Sequence, residues 1–206
     1  MKQKFFIDTN KGVTAIIILI MMAVFNQWNN STAWIYLALH GTYGILWVLK
    51  SNIFPDQSWE QKVSLGFGVV SWLALCLYWT APWIITSQAV QAPAWLQAFC
   101  ISLFALGLFL HFASDMQKHA SLKLNPGVLI TDGLFSRLRN PNYFGELLIY
   151  LSFSLLARHW LPVAILLVWV LFYWLPRMRQ KDQVLSGLIG FADYKARSKL
   201  FIPFLF

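Results

Sequence analysis

Charge is what this chain has least of: Asp, Glu, Lys and Arg together make up 12% of 206 residues, and only eight of them are acidic. That scarcity excludes an ordinary solvated globular enzyme. Cysteine is nearly absent too. Cys76 and Cys100 have no companion at metal-ligand or redox-pair spacing, which excludes a disulfide scaffold, a thiolate zinc site and a dithiol active site. Both are expected to pack in a core, and no metal site is expected. There is no internal repeat, heptad seam or low-complexity tract, so a transporter built from inverted repeats has no support. What fills the chain is apolar: 58% hydrophobic residues, with 17 Phe and 11 Trp.

One bilayer crossing needs about 20 mostly apolar residues. Six runs come near that length, at about 12–28, 33–50, 63–83, 95–113, 143–159 and 160–174. The last two are short and nearly fused. They read as a helical hairpin turning at "RHWLP", with Pro162 in the first turn of the second arm. The expectation is an all-α integral membrane protein of about six transmembrane helices. The first span lacks a small-residue cleavage site behind it, so it is read as a span and not as a cleaved signal peptide. "GFG" at 66–68 is read as a place of close helix packing.

With six spans, fifteen of the sixteen Lys and Arg fall on one side of the membrane, from Lys2, Lys4 and Lys11 through Lys50 and Lys62 to the cluster after Lys118, and Arg158 alone falls on the other. The positive-inside rule then makes both termini cytoplasmic. The formal charge of +8 is accounted for by insertion and by anionic headgroups of the lipid bilayer, and no nucleic-acid partner is implied. The outer loops, 26–32 and 84–94, carry no charge. Function is therefore expected at the cytoplasmic face. Two parts are expected in one membrane domain: residues 1–113, with four helices on the substrate side, and residues 114–206, with a cytoplasmic loop, the hairpin and a C-terminal segment on the cofactor side.

The stretch "RLRNPNYFGELLIY" begins a helix: Asn140 suits the N-cap, Pro141 the first helical position, and Arg137 and Arg139 stand beside the free N–H groups of the first turn. Asn142 and Glu146, four apart, share a face. Glu146 lies a turn deeper, where a carboxylate needs a partner or a ligand. One reading pairs it with a basic residue such as Arg177 and confines it to packing; the other gives it a ligand.

The segment "GLFSRLRNPNYFGELLIY" resembles the "GLF…(N)YFGE" segment of the steroid 5-alpha-reductase family. "FADYKARSKLFIPFLF" is similar to that family's terminal pattern, and "HFASDMQKHASLKLNPG" to its Ser-Asp motif before a Pro-Gly turn. The resemblance covers residues 110–206. Membrane methyltransferases acting on isoprenylcysteine and phospholipids share an Arg-His-Pro-x-Tyr-x-Gly core at this place, but the present chain has Asn140 where they carry His.

The reductase resemblance implies NADPH as cofactor, with Asp115, Asn142, Tyr143, Glu146 and Arg177 contacting the dinucleotide and Arg137 and Arg139 its phosphates or lipid headgroups. The methyltransferase resemblance implies S-adenosylmethionine in the same place. In the reductases a Glu and a Tyr on the second and third helices polarise the substrate ketone. Here no Glu occurs in the first four spans. The nearest substitute is a stripe on the second span, His40, Tyr43, Trp47 and Lys50, spaced three, four and three apart. His40 or Tyr43 is the candidate acid, and Tyr78 is a further candidate for the tyrosine.

The function expected on this basis is NADPH-dependent reduction of an activated carbon–carbon double bond in a lipophilic enone, sterol-like or polyprenoid, which enters from the bilayer. The alternatives are a methyltransferase acting on a lipid or thiol, and a non-catalytic membrane protein of the same fold. The membrane is a bacterial inner membrane or that of the endoplasmic reticulum; oligomeric state is left open.

Overall fold

In the computed structural model, which describes residues 1–205, the chain is helical throughout. Among the described residues β pairing is confined to two isolated bridges, Lys2 with Lys62 and Leu138 with Lys199. Five helices are long and apolar enough to cross a membrane: α1 (Gln3–Val24), α2 (Ser31–Ile53), α3 (Leu65–Ser87), α4 (Ala94–Leu124) and α6 (Trp160–Leu185). The fifth apolar run, 143–159, becomes α5 (Pro141–Leu156), only 16 residues. At 1.5 Å per residue it is about 24 Å long, short of a hydrocarbon core of about 30 Å. A short amphipathic helix, α7 (Phe191–Arg197), follows near the C-terminus.

The helices begin where side chains can satisfy their free N–H groups. Asn30 accepts from the backbone N–H of Thr32 and Ala33 at the start of α2, and Ser64 accepts from Phe67 N–H at the start of α3. Two helices carry a wide π-helical turn, Leu37–Gly41 in α2 and Val170–Trp174 in α6, which shifts the phase of the residues beyond it. Large apolar side chains stay outside: Ile16, Ile20 and Val24 on α1, Phe67 and Val70 on α3, Leu106 and Phe109 on α4, and Phe172 on α6 are all exposed. An apolar exterior of this kind is what a multi-pass membrane protein presents to lipid.

The chain forms two compact units. The first comprises residues 1–104 and 150–166. Its helices approach closely at glycines: a Cβ on Gly44 of α2 would strike the carbonyl of Lys11 on α1, and one on Gly68 of α3 would strike the ring of Phe6. The packing role read for "GFG" is thus filled by Gly68, whereas Gly66 has nothing within 4 Å. Cys100 is fully buried and Cys76 partly so, both as free thiols.

The second unit comprises residues 105–149 and 167–206. Here α4 and α5 meet backbone to backbone. A Cβ on Gly107 would stand 2.6 Å from the carbonyl oxygen of Gly145, and one on Gly145 only 2.5 Å from the N–H nitrogen of His111. The segment before α5 is latched to the C-terminal segment. Arg139 N–H donates to the Lys199 carbonyl at 2.8 Å, Lys199 N–H to the Arg137 carbonyl at 2.9 Å, and the Tyr194 hydroxyl to the Phe135 carbonyl at 2.7 Å.

Candidate functional site

The second unit contains every residue expected to meet the cofactor. The Gly107–Gly145 crossing sets α4 against the first turns of α5, and His111 Nδ1 lies 3.1 Å from the backbone carbonyl of Asn142. One turn along α4, Asp115 is buried with a carboxylate oxygen 4.0 Å from His111 Nε2. The backbone oxygen of Asn142 is thereby held, while its side chain is left half-buried on the face it shares with Glu146. Among the described residues neither the Asn142 amide nor the Glu146 carboxylate has a hydrogen-bond or ion-pair partner.

Glu146 does not pair with Arg177. Arg177 donates from Nη1 to the Tyr173 hydroxyl at 2.7 Å, one helical turn away, and its guanidinium lies 5.2 Å from that ring. Glu146 is close enough to Tyr173 to act electrostatically on the phenol. Tyr143 packs against Trp174, with ring centroids 5.7 Å apart, and Trp174 packs on Phe201. Tyr173 and Arg177 are therefore bonded to each other, and Tyr143 and Trp174 make an aromatic wall.

The two arginines before α5 part company. Arg137 is exposed. Arg139 is buried and spent on the fold: its Nε donates to both carboxylate oxygens of Asp182, at 3.2 and 3.0 Å, and its Nη1 to Ser198 O at 2.7 Å and Oγ at 3.2 Å. Asn140 immediately precedes α5, in the N-cap place, but its amide donates to Leu200 O at 2.9 Å and its carbonyl accepts from Lys181 at 2.9 Å. Next to this latch, burial pushes the Tyr194 phenol up to about 12.

The first unit holds the second-helix stripe, and all four of its members are buried. His40 Nδ1 is 2.9 Å from the Tyr36 hydroxyl, and its ring stacks on Phe153 at 4.3 Å. Tyr43 is fully buried and edges toward Tyr150 and Trp47. Tyr78, the further candidate, stacks on Tyr150 with centroids 4.0 Å apart.

At the centre of this cluster stands a residue that the charge count had assigned to a surface loop. Lys11 lies in the third turn of α1, 4% exposed. Its ammonium donates to the Tyr150 hydroxyl and lies over the rings of Tyr43 at 4.6 Å, Tyr150 at 4.7 Å, Trp47 at 5.0 Å and Tyr78 at 5.9 Å. The signal for its burial is helical spacing: Ile7, Lys11, Thr14, Ile18 and Met22, all buried, form one stripe on α1.

Around the start of α1 the charges are paired. Glu60 accepts from Lys2 at 2.6 Å and pairs with Lys4 at 2.5 Å, and the two ammonium groups hold its carboxyl below the usual carboxylate range. Asp8 accepts from Trp47 Nε1 at 3.1 Å and from Ser51 at 2.8 Å.

Comparison with known proteins adds a family but no activity. The chain belongs to the family described as "Protein of unknown function (DUF1295)", which matches residues 52–178. No curated protein matches the chain.

Proposed function

We propose that this member of the family is a membrane-embedded reductase that takes hydride from NADPH to saturate an activated carbon–carbon double bond in a lipophilic, sterol-like or polyprenoid enone. The observation that carries the reading is the polar face of α5, where Asn142 and Glu146 stand with no partner among the described residues. An amide and a carboxylate one turn apart fit a nicotinamide carboxamide or ribose hydroxyls. Arg177, bonded to Tyr173, brings a guanidinium to the same unit, in which Arg137, Arg179 and Lys199 are exposed cations suited to phosphates. Arg139 belongs to the latch and supports the site without reaching it.

When bound, NADPH would supply the hydride. The protein's part is to orient the nicotinamide with Asn142 and Glu146, to hold the phosphates with cations and to give the substrate carbonyl a proton. In this reading α5 dips into the bilayer as a sixth, short span. Both termini and the basic segments then face the cytoplasm, as the distribution of Lys and Arg favours, and the substrate enters from lipid.

Thermal unfolding of the detergent-purified protein tests the reading. A ligand that binds only the folded state at a hundredfold its Kd stabilises by about 2.7 kcal/mol. For a chain of this size that is a rise of about 5–10 °C. NADPH is expected to give this rise and S-adenosylmethionine none. The converse result replaces the reductase with a methyltransferase, and no rise with either ligand favours a non-catalytic role.

A further inference from the structure

Not every glycine of the first unit is held by packing. A Cβ on Gly44 or Gly68 would strike a neighbouring helix, but one on Gly12, exposed in the third turn of α1, would meet only Val48 Cγ2 of α2 at 3.7 Å, an ordinary contact. Glycine in a helix interior is destabilising relative to alanine, and here no close approach of backbones offsets that cost. What the bare backbone does is keep a groove open. The groove runs between α1 and α2, has a volume of about 620 Å³, and is walled beside Gly12 by Phe5, Thr9, Val13 and Val48. Residues 5, 9, 12 and 13 form one face of α1. The Thr9 hydroxyl donates back to the Phe5 carbonyl at 2.8 Å, which turns this polar group onto its own helix.

One end of the groove is charged. Lys2 and Lys4 line it and share the Glu60 carboxylate, at 2.6 and 2.5 Å. Lys62, which forms an isolated bridge with Lys2, is exposed beside them. Asp8 also lines the groove, but its two oxygens accept from Trp47 Nε1 and Ser51 of α2. Three ammonium groups against two carboxylates leave one positive charge, which complements the single negative charge of a phosphodiester. The length fits as well. Val13 lies eleven residues beyond Lys2, a rise of about 16 Å, and half of a hydrocarbon core of about 30 Å is about 15 Å. With the apolar part along one leaflet, the charged end lies at the level of the headgroups.

We propose that this groove is a lipid site, which takes one acyl chain of an anionic phospholipid from the surrounding bilayer and holds its phosphate with Lys2 and Lys4. The site lies within the first unit and is independent of the reductase reading. A zwitterionic lipid brings the same chain and phosphate together with an ammonium group, which the excess positive charge disfavours. The groove therefore selects by headgroup as well as by shape.

Native mass spectrometry of the detergent-purified protein, titrated with dioleoyl phosphatidylglycerol or dioleoyl phosphatidylcholine, counts the lipids that each chain retains. The expected result is one tightly held phosphatidylglycerol, preferred about tenfold over phosphatidylcholine. Gly12→Leu fills the groove and should lower retention about tenfold. Gly66→Leu adds the same side chain to an exposed glycine of α3 with nothing within 4 Å, and should leave retention unchanged. Val48→Phe narrows the groove from the α2 side and should act as Gly12→Leu does, so that the test stands if one of the two fails to fold. Lys2→Gln combined with Lys4→Gln should remove the preference for phosphatidylglycerol. Equal retention of the two lipids by the wild type, or retention that survives filling of the groove, overturns the proposal. So does a dimer that Gly12→Leu dissociates, since a second copy of the chain would then occupy the groove.

Discussion

Replacing Arg139 by methionine separates a latch from a ligand contact. The guanidinium reaches Asp182 through Nε and Ser198 through Nη1, and the side chains of the pair are 7% and 13% exposed. Methionine keeps much of the stem but leaves the Asp182 carboxylate without this partner and the Ser198 carbonyl without its donor. Removing one member of a buried pair costs about 3–5 kcal/mol, because the remaining charge is desolvated without compensation. At about 2–4 °C per kcal/mol, the melting temperature should fall by about 6–20 °C. Unfolding of the detergent-purified protein, followed by tryptophan fluorescence, measures this directly. Arg137→Met is the control: that side chain is exposed, and its loss should change the melting temperature by no more than about 2 °C, within the usual range for surface substitutions. An Arg139→Met protein as stable as the wild type would refute the latch and return Arg139 to the phosphate-binding role that its position beside a helix start suggests.

Four further outcomes follow from the geometry. Glu146→Gln should leave the melting temperature of the unliganded protein unchanged and remove the rise produced by NADPH; an unliganded protein that fails to fold would make Glu146 a packing residue. Gly145→Val should cost about 3 kcal/mol, since its Cβ would press on the α4 backbone at His111 N and Gly107 O, 2.5 and 2.6 Å away, and a neutral result in thermal unfolding would contradict the close crossing. Glu60 has a depressed folded pKa, so its contribution is present in full above the unfolded value of about 4.5 and is lost as pH falls through the folded one. Glu60→Gln should therefore flatten the acid limb of a plot of melting temperature against pH. Tyr194 is the opposite case: with a folded pKa raised from 10 to about 12, its contribution is complete below pH 10 and is lost as pH rises toward 12. Tyr194→Phe should lower stability at neutral pH through the lost bond to Phe135 and show a weaker decline on the alkaline side.

The local features of the chain were legible because helical periodicity and composition report them. The His40, Tyr43, Trp47 and Lys50 stripe is one buried face, and α5 begins at Pro141. Lys11 escaped because a lysine close to an apolar run reads as loop charge when basic residues are counted by side; its fit to a 3.6-residue stripe was the contrary signal. The expected run at 143–159 ends three residues early as α5, before a turn in which Arg158 adopts a left-handed conformation. Arg139 was read from its neighbours in sequence, whereas the groups that engage it lie 43 and 59 residues away. No local pattern encodes pairings of that range. Of the two readings of Glu146, the one that paired it with a basic residue such as Arg177 rested on charge alone; Arg177 instead reaches Tyr173, one turn back on its own helix.

The central claim is that the polar face of α5 receives a nicotinamide dinucleotide. Energy transfer from the 11 tryptophans to bound NADPH tests it most directly, by titration of NADPH into the purified protein with NADP⁺ as competitor. The account predicts a saturable signal that NADP⁺ displaces, S-adenosylmethionine does not, and Glu146→Gln weakens at least tenfold. A signal that never saturates, or one that S-adenosylmethionine removes, would contradict it.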